Sequence, residues 1–517
     1  MDIDKEMKKY LNKVEKKYIV VFIVTLIFGL FSHGVFLSHK LSIHDDLAHM
    51  FDHGGLYISG RWMQALIGKG IGYIFGDNMS LPLWNGIISI IIIAVSTCII
   101  IKIFEIDSYV LCILVSIFQV SRPIISGLFG YMFTAPYHMF GECLAYIGVF
   151  FILRKKGIFA WCIGIMMLAC STGIYQAFIP CIISLILYYY IVEIYNKNYN
   201  FSENIKKGIY YVISMIAFII LYAMITKVAL ALVQQELLDY KGISEMWNVS
   251  SIIKRILLPY KYFFNPDIDV EYIIYPGIMQ YMYYPIIAIC MIILVIFALY
   301  TMKKSIGNGA LLLLCLVMFP MACNFIYIMC DAQYITGIMI YGKEMLFIFL
   351  LIITNCIKSD SEVWLEKMIP IFSVSVICIS CILYIRTNNV VYLKADLLQS
   401  RLMSWSTTLV TRIKSTEGYD DNLPIAYIGE YESEDATLIN IPQLEKYHIV
   451  PYSGGVEEYI NNFAWRLYTF YMCGFWPDTI STEEIQKTDE IAKMSVYPDD
   501  GSIKVIDNTV VVKLSEE

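Results

Sequence analysis

The sequence predicts an α-helical polytopic membrane protein that carries a small α/β domain after its last span. Three observations lead there. The 517 residues are 58% hydrophobic and 16% charged, with a mean hydropathy of +0.62, whereas soluble domains run at roughly 45–50% apolar and about a quarter charged. The apolar residues come in eleven runs, near 18–37, 82–101, 109–130, 137–153, 158–172, 174–195, 208–226, 285–302, 310–329, 338–357 and 368–385, most of them close to the ~20 residues that a spanning helix needs. From Arg386 onward the composition changes: 21 Asp/Glu stand against 11 Lys/Arg, a net of −10, while the preceding residues net +3. A soluble enzyme and a disordered chain are thereby excluded. The overall charge of −7 offers no basic footprint for nucleic acid.

The elements follow in order. Lys5, Lys8, Lys9, Lys13, Lys16 and Lys17 precede the first run, and no small-residue cleavage site follows it, so it is expected to remain as an anchor. With the N-terminus in the cytoplasm, the inner loops contain Arg154–Lys156, Lys206–Lys207 and Lys303–Lys304. Lys and Arg are then far denser inside than outside, as the positive-inside rule requires. An odd number of spans carries the C-terminus out. The expected division is 1–385 for the membrane body, with outer segments 38–81 and 227–284, and 386–517 for an extracytoplasmic α/β domain. In that domain Leu398, Leu402, Trp405, Leu409 and Ile413 form one helical stripe. Residues 425–429 read as a short buried strand, and Lys504–Ile506 and Val510–Val512 flank a turn in the manner of a hairpin. The 14 Cys lie almost entirely in apolar runs and read as small buried hydrophobes. Only Cys330 and Cys473 fall outside, so no external disulfide is expected. No internal repeat is visible, which weighs against transporters built from inverted repeats.

The first outer segment carries the strongest chemical signal. Five of the seven His lie between residues 33 and 53, interleaved with Asp45, Asp46 and Asp52. On a continuous helix Asp45, His49 and His53 share one face. That spacing suits a divalent metal held with His44, His49 and His53, and it suits equally a solvated polar loop. Two adjacent carboxylates at a membrane edge are costly to desolvate. One of them can act as base toward a hydroxyl arriving from outside. Gly60-Arg61-Trp62 opens an amphipathic stretch expected to lie in the interface with its rings at headgroup level. Arg61 there suits either a phosphate or simple snorkelling.

Charges within the spans come next, because they are expensive and usually purposeful. Arg122 and Glu142 can pair as a helix–helix tie, while Glu142, with Tyr137 and His138, also fits an outer cavity as a catalytic group. Lys343 and Glu344 lie about two turns inside the tenth run, toward its outer side, and Lys343 suits a lipid phosphate or a salt bridge. Lys254, Arg255 and Lys261 stand near the aromatic Tyr281–Tyr284, a pairing that suits a phosphate site as well as an ordinary interfacial segment. There is no Walker loop, no dinucleotide-binding GxGxxG unit and no nucleophile elbow, so a lipid-linked activated substrate fits better than a nucleotide.

On Asp45-Asp46, Gly60-Arg61-Trp62, the interfacial stretch and the outside domain ending in a Val-rich strand, the chain resembles the polytopic glucosyltransferases of the O-antigen-modifying, serotype-conversion type, in the GT-C class. The specific likeness covers about the first 140 residues. It implies transfer of glucose or a similar hexose from a polyprenyl-phosphate donor to a glycan outside the bacterial plasma membrane. It implies inversion, with Asp45 or Asp46 as base and Arg61, Lys254, Arg255 or Lys343 stabilising the leaving phosphate; Trp62 and His138 would line the substrate site, and the tail would help to bind the acceptor. No cofactor is required, though a divalent metal stays open. A donor-synthesising transferase and a flippase are the implied partners. Competing expectations are a polytopic glycan polymerase or ligase, a flippase or transporter for a lipid-linked sugar, and a sensor whose tail is the working part.

Overall fold

The computed structural model describes residues 14–196, 200–238, 253, 255–265, 273–274, 281–357, 364–429, 441–445, 447–449, 464–483 and 488–516. Among these, nine helical stretches are long and apolar enough to cross a membrane, Tyr109–Phe129 counting as one although it breaks in its second half. In chain order, α1 is Lys16–Ser38, α2 His44–Ala48, α3 Trp62–Phe75 and α4 Pro82–Phe104. Next come α5 Tyr109–Ser121, α6 Pro123–Phe129, α7 Ala135–Arg154, α8 Ile158–Thr172, α9 Phe178–Asn196 and α10 Phe201–Val233. The short α11 Leu258–Phe264 precedes α12 Tyr283–Lys304, α13 Ile306–Cys323, α14 Ile326–Met329, α15 Tyr341–Cys356 and α16 Trp364–Ser415. The fifth and tenth apolar runs therefore form helices of only 15 and 16 residues. At 1.5 Å per residue each falls short of a ~30 Å hydrocarbon core. Tyr341 to Ile353 of α15 are all buried inside the bundle, so α15 does not have to face lipid.

Two local rules shape the cavity end of this bundle. Arg122 precedes Pro123, whose ring disfavours the helical conformation of the residue before it. Arg122 is accordingly extended (φ −56°, ψ 143°), and the third run divides there into α5 and α6. The sixth run starts late: residues 174–177 remain outside α9, which leaves Tyr175 and Gln176 free to line a cavity.

Buried polar ties hold the helices in register. His33 is fully buried between Tyr392 Oη (2.7 Å from Nδ1) and the Val120 carbonyl (2.7 Å from Nε2). A carbonyl only accepts, so Nε2 carries the proton and Nδ1 accepts from Tyr392. Asn388 donates to Ser32 Oγ and to the Ser121 carbonyl, each at 2.8 Å, and accepts from Ser126 Oγ at 3.0 Å. Each tie joins α16 to α1 and to the α5–α6 break. Lys and Arg gather at the other end of the bundle: Lys102, Arg154, Lys303 and Lys304 occupy the last turns of α4, α7 and α12.

The helix expected at 397–413 is the distal part of α16, which continues without interruption through residue 385. Beyond it lie α17 (Ala464–Cys473) and a three-stranded sheet of β1 (Ile425–Ile428), β2 (Ile503–Ile506) and β3 (Thr509–Lys513), in spatial order β1-β3-β2. β1 runs parallel to β3, Ile425 opposite Val510, and β2 runs antiparallel to it, Ile503 opposite Val512. The β2–β3 turn is Asp507-Asn508, both at positive φ (49° and 59°), the conformation that a two-residue hairpin matched to strand twist demands. Trp465 of α17 packs edge-on against Trp405 of α16 and Tyr427 of β1. All fourteen Cys are free thiols.

Candidate active site

The two carboxylates of the Asp pair, adjacent in sequence, have opposite environments. Asp46 is 2% exposed. It receives Lys40 Nζ at 2.8 Å, Ser42 Oγ at 2.6 Å, Ser80 Oγ and the Phe133 amide at 3.2 Å. Those donors come from the segment before α2, the segment before α4 and the turn before α7, so Asp46 staples three chain segments together. A carboxylate with that many donors has little acceptor capacity left for a substrate. Asp45 is 41% exposed, lies 2.9 Å from His44 Nδ1 and lines a cavity of about 370 Å³.

The Gly60-Arg61-Trp62 sequence has a reason at each position. Gly60 ends the 3-10 turn Tyr57–Ser59 at φ 74°, and a Cβ there would meet Tyr222 Oη at 2.5 Å. Both the backbone and the space call for glycine. Arg61 follows, its guanidinium 5.2 Å from the centre of the Tyr175 ring. This is a cation–π contact. Arg61 lines the cavity with its Nε buried and without a hydrogen-bond partner. Trp62 differs from the interfacial expectation. It is buried against Ala169, Tyr222 and Gly173, where a Cβ on Gly173 would stand 2.5 Å from the indole. The close approach of Gly173 drew Trp62 into the bundle, and it does not line the cavity. The exposed end of α3 is Tyr73, Ile74 and Phe75. A Gly173→Ala variant is expected to displace Trp62, and Arg61 with it. Overpacking of this kind costs about 1–3 kcal/mol, and a rise in donor KM at nearly constant kcat is the measurement that checks it.

His138 lines the same cavity. Its Nδ1 is 3.0 Å from the Thr134 carbonyl and its ring is edge-on to Tyr175 at 4.8 Å. Because that carbonyl only accepts, the proton is on Nδ1 and Nε2 is an acceptor. Gln176, Ser59 and Tyr131 add polar groups, and Leu56, Ile326, Met329 and Ile338 make an apolar side.

Thus Asp45, Arg61 and His138 come together as the sequence suggested, with His49 beside them. Other candidates lie elsewhere. Glu142 sits one turn beyond His138 on the same stripe of α7 and does not line the cavity. It is 3% exposed and takes both oxygens to Arg122 Nη2, one at 2.6 Å, while Tyr146 Oη donates to it. Arg122 also reaches Glu344 at 3.4 Å. The helix–helix tie is what Glu142 makes, because burial this deep requires a cation beside it. Lys343 is buried with Nζ 4.2 Å from the Tyr283 ring centre, and Arg255 faces Asp331 at 3.5 Å. Neither lines the cavity. Lys254 lies outside the described residues.

The expected stripe of Asp45, His49 and His53 is not built. α2 ends at Ala48, His49 leaves the helix, and His53 turns its Nδ1 to the Gly55 amide at 3.0 Å. His44 pairs with Asp45 and His49 with Asp52. Among the described residues no three His, Cys, Asp or Glu converge as metal ligands would. Ser59, Tyr175, Gln176 and the anchors Lys40 and Ser80 were not singled out from the sequence. Tyr175 and Gln176 sit inside an apolar run, and Ser80 meets Asp46 across 34 positions.

His49 also gives the cavity a pH dependence. Its Nδ1 is 2.7 Å from Asp52, and its ring stacks on Phe133. The hydrogen bond to Asp52 holds His49 above its ordinary value of 6.5. Burial works against Asp52, yet His49 and the Gly54 amide hold it below 3.8. The stabilisation from Asp52 is full above 3.8 and is lost as pH falls through its lowered value. The stabilisation from His49 is full below 6.5 and is lost as pH rises through its raised value. Between the two, the cavity rim carries a cation. Donor KM is therefore expected to rise as pH climbs through the raised value of His49, and a His49→Gln variant to flatten that rise when KM is measured across pH.

The family model described as glucosyl transferase GtrII matches residues 34–347, a stretch containing Asp45, Arg61 and His138. No curated protein and no solved structure matches the chain. A match over more than half of the sequence, centred on the segments that build the cavity, means that this membrane protein belongs to the GtrII glucosyl transferase family, the serotype-conversion glucosyltransferases.

Proposed function

We propose that the protein moves a glucosyl group from a polyprenyl-phosphate carrier to a hydroxyl of a cell-surface glycan on the outer side of the plasma membrane, with Asp45 as general base. The observation that carries the proposal is the division of labour in the Asp pair: Asp46 is saturated by four donors, while Asp45 opens onto the cavity shared with Arg61 and His138. In the proposed step the acceptor oxygen bonds to the anomeric carbon from the face opposite the phosphate, and its proton passes to Asp45. The bond from that carbon to the phosphate oxygen breaks, the electron pair leaves with the lipid phosphate, and the anomeric configuration inverts. Charge building on the phosphate is met by Arg61, whose planar fork suits two phosphate oxygens, and by protonated His49. The sugar carbon becomes oxocarbenium-like, which a nearby carboxylate favours electrostatically. His138 Nε2, an acceptor, suits a sugar hydroxyl.

The sidedness of the reading rests on charge. The helix ends remote from the cavity carry Lys102, Arg154, Lys303 and Lys304, so the positive-inside rule favours a cytoplasmic N-terminus, a cavity facing outward and an extracytoplasmic tail. The tail from residue 386 would help to hold the acceptor, since α17 packs against α2 and Tyr471 meets Phe51 edge-on at 6.0 Å. The test is reconstitution of the purified protein in liposomes with glucosyl-phosphoryl-polyprenol and acceptor glycan. Release of polyprenyl phosphate matched by glucose incorporation is expected. Release without acceptor dependence, or none at all, would overturn the reading.

A further inference from the structure

A second, larger void lies to one side of the bundle. It encloses about 670 Å³ between α9, α10 and α13. Its walls are hydrocarbon: Ile183, Ile186 and Leu187 on α9, Ile213 and Ile216 on α10, and Leu314 on α13. On α13 the lining positions Leu311, Leu314, Cys315, Met318 and Ala322 follow helical spacing, and Phe325 lines the groove from the turn just beyond the helix. The helical positions make one stripe about 16 Å long at 1.5 Å per residue. Tyr190 and Tyr211 border the far end but turn their hydroxyls away from it, to the Asn204 carbonyl at 2.8 Å and to Glu193 at 2.9 Å. Ile213 and Leu314 are each more than half exposed, so the groove opens sideways, toward where lipid would lie.

Each of its three walls leads into the catalytic cavity. Gln176 and Ala177, immediately before α9, line the cavity, and so does Leu238, beyond the end of α10, where its amide bonds the Ile58 carbonyl at 2.8 Å. Phe325 borders the groove while the next residue, Ile326, borders the cavity. We infer that this groove is the binding site for the isoprenoid chain of the donor, leading the lipid from the bilayer to the point where its phosphate meets Arg61. The inference rests on the proposed polyprenyl-phosphate donor. A groove without polar groups selects chain length and packing, not head-group chemistry, so it complements a cavity that holds the charged end.

The test fills the groove without touching the cavity. Ile213→Trp and Leu314→Trp place an indole in it, and Ile220→Trp makes the same change on a lipid-facing position of α10 that does not line it. Retention of full-length polyprenyl phosphate by protein in detergent is measured by native mass spectrometry, beside glucosyl transfer from full-length and from geranyl-phosphate donors. Expected are a roughly tenfold loss of retention and a similar rise in KM for the full-length donor in the two groove variants. Ile220→Trp should behave as the unsubstituted protein, and all three should keep transfer from the short donor. Equal behaviour of groove and control variants, or no retention by the unsubstituted protein, overturns the inference and reduces the void to a place for ordinary membrane lipid. Groove-dependent retention without any transfer would instead overturn the proposed function and leave the lipid site standing.

Discussion

Asp45→Asn is expected to lower glucosyl transfer by about 10²–10⁴-fold, the range over which a positioned general base acts, with donor KM changed little and thermal unfolding unchanged. The side chain keeps its size and loses only the capacity to take a proton. It is 41% exposed and lies beside His44, to which an amide oxygen can still accept a hydrogen bond. Asp46→Ala provides the contrast. It strips Lys40, Ser42, Ser80 and the Phe133 amide of their common acceptor. The cost should be about 1–3 kcal/mol per buried donor left unmade, seen as a lower unfolding temperature accompanying the loss of activity. Initial rates in liposomes and thermal unfolding in detergent separate the two. Full transfer activity in Asp45→Asn would remove the assignment of the base, and an unchanged unfolding temperature in Asp46→Ala would remove the staple.

The second large effect is on stability. Arg122→Met leaves Glu142 and Glu344 buried at 3% and 7% exposure without their cation. Breaking a buried ion pair from one side costs about 3–5 kcal/mol, a large part of the stability of a typical domain. Arg122→Met should therefore express poorly and unfold well below the unsubstituted protein. Changing all three to apolar side chains, Arg122→Met with Glu142→Leu and Glu344→Leu, should recover most of the loss, because no unpaired charge remains. An Arg122→Met protein as stable as the parent would mean that the cluster is not what joins α5, α7 and α15.

The sequence made most of the body legible, because hydropathy over about 20 residues is a long-range average that local details do not disturb. It misled where one contact decided the outcome. Nothing in the spacing of Asp45 and Asp46 distinguishes them; they differ because Ser80 and the Phe133 amide arrive from 34 and 87 positions away. Trp62 has the side chain of an interfacial anchor, yet Gly173 on another segment offers it a flat surface. Glu142 was readable both as cavity lining and as the partner of Arg122, and a rotation of one turn along α7 separates those outcomes. The break before Pro123 and the Asp507-Asn508 hairpin, by contrast, depend on chain stereochemistry alone and were open to reading in advance. Arg386, Asn388, Asn389 and Lys394 end the hydropathy run at 385 without ending the helix, since these residues interrupt apolarity far more than they oppose helix formation.

That last helix has a geometric consequence. A flexible tether would let the tail sheet sample many poses; a continuous α16 transmits both length and phase. Each residue added to or removed from it turns everything beyond by about 100° while shifting it by only about 1.5 Å. The face that α17 presents to α2 is therefore tied to the count of residues between the bilayer and Ser415. Substitutions along α16 should be far more permissible than single insertions, which would act on the tail like a wrongly cut key: the same teeth, facing another way.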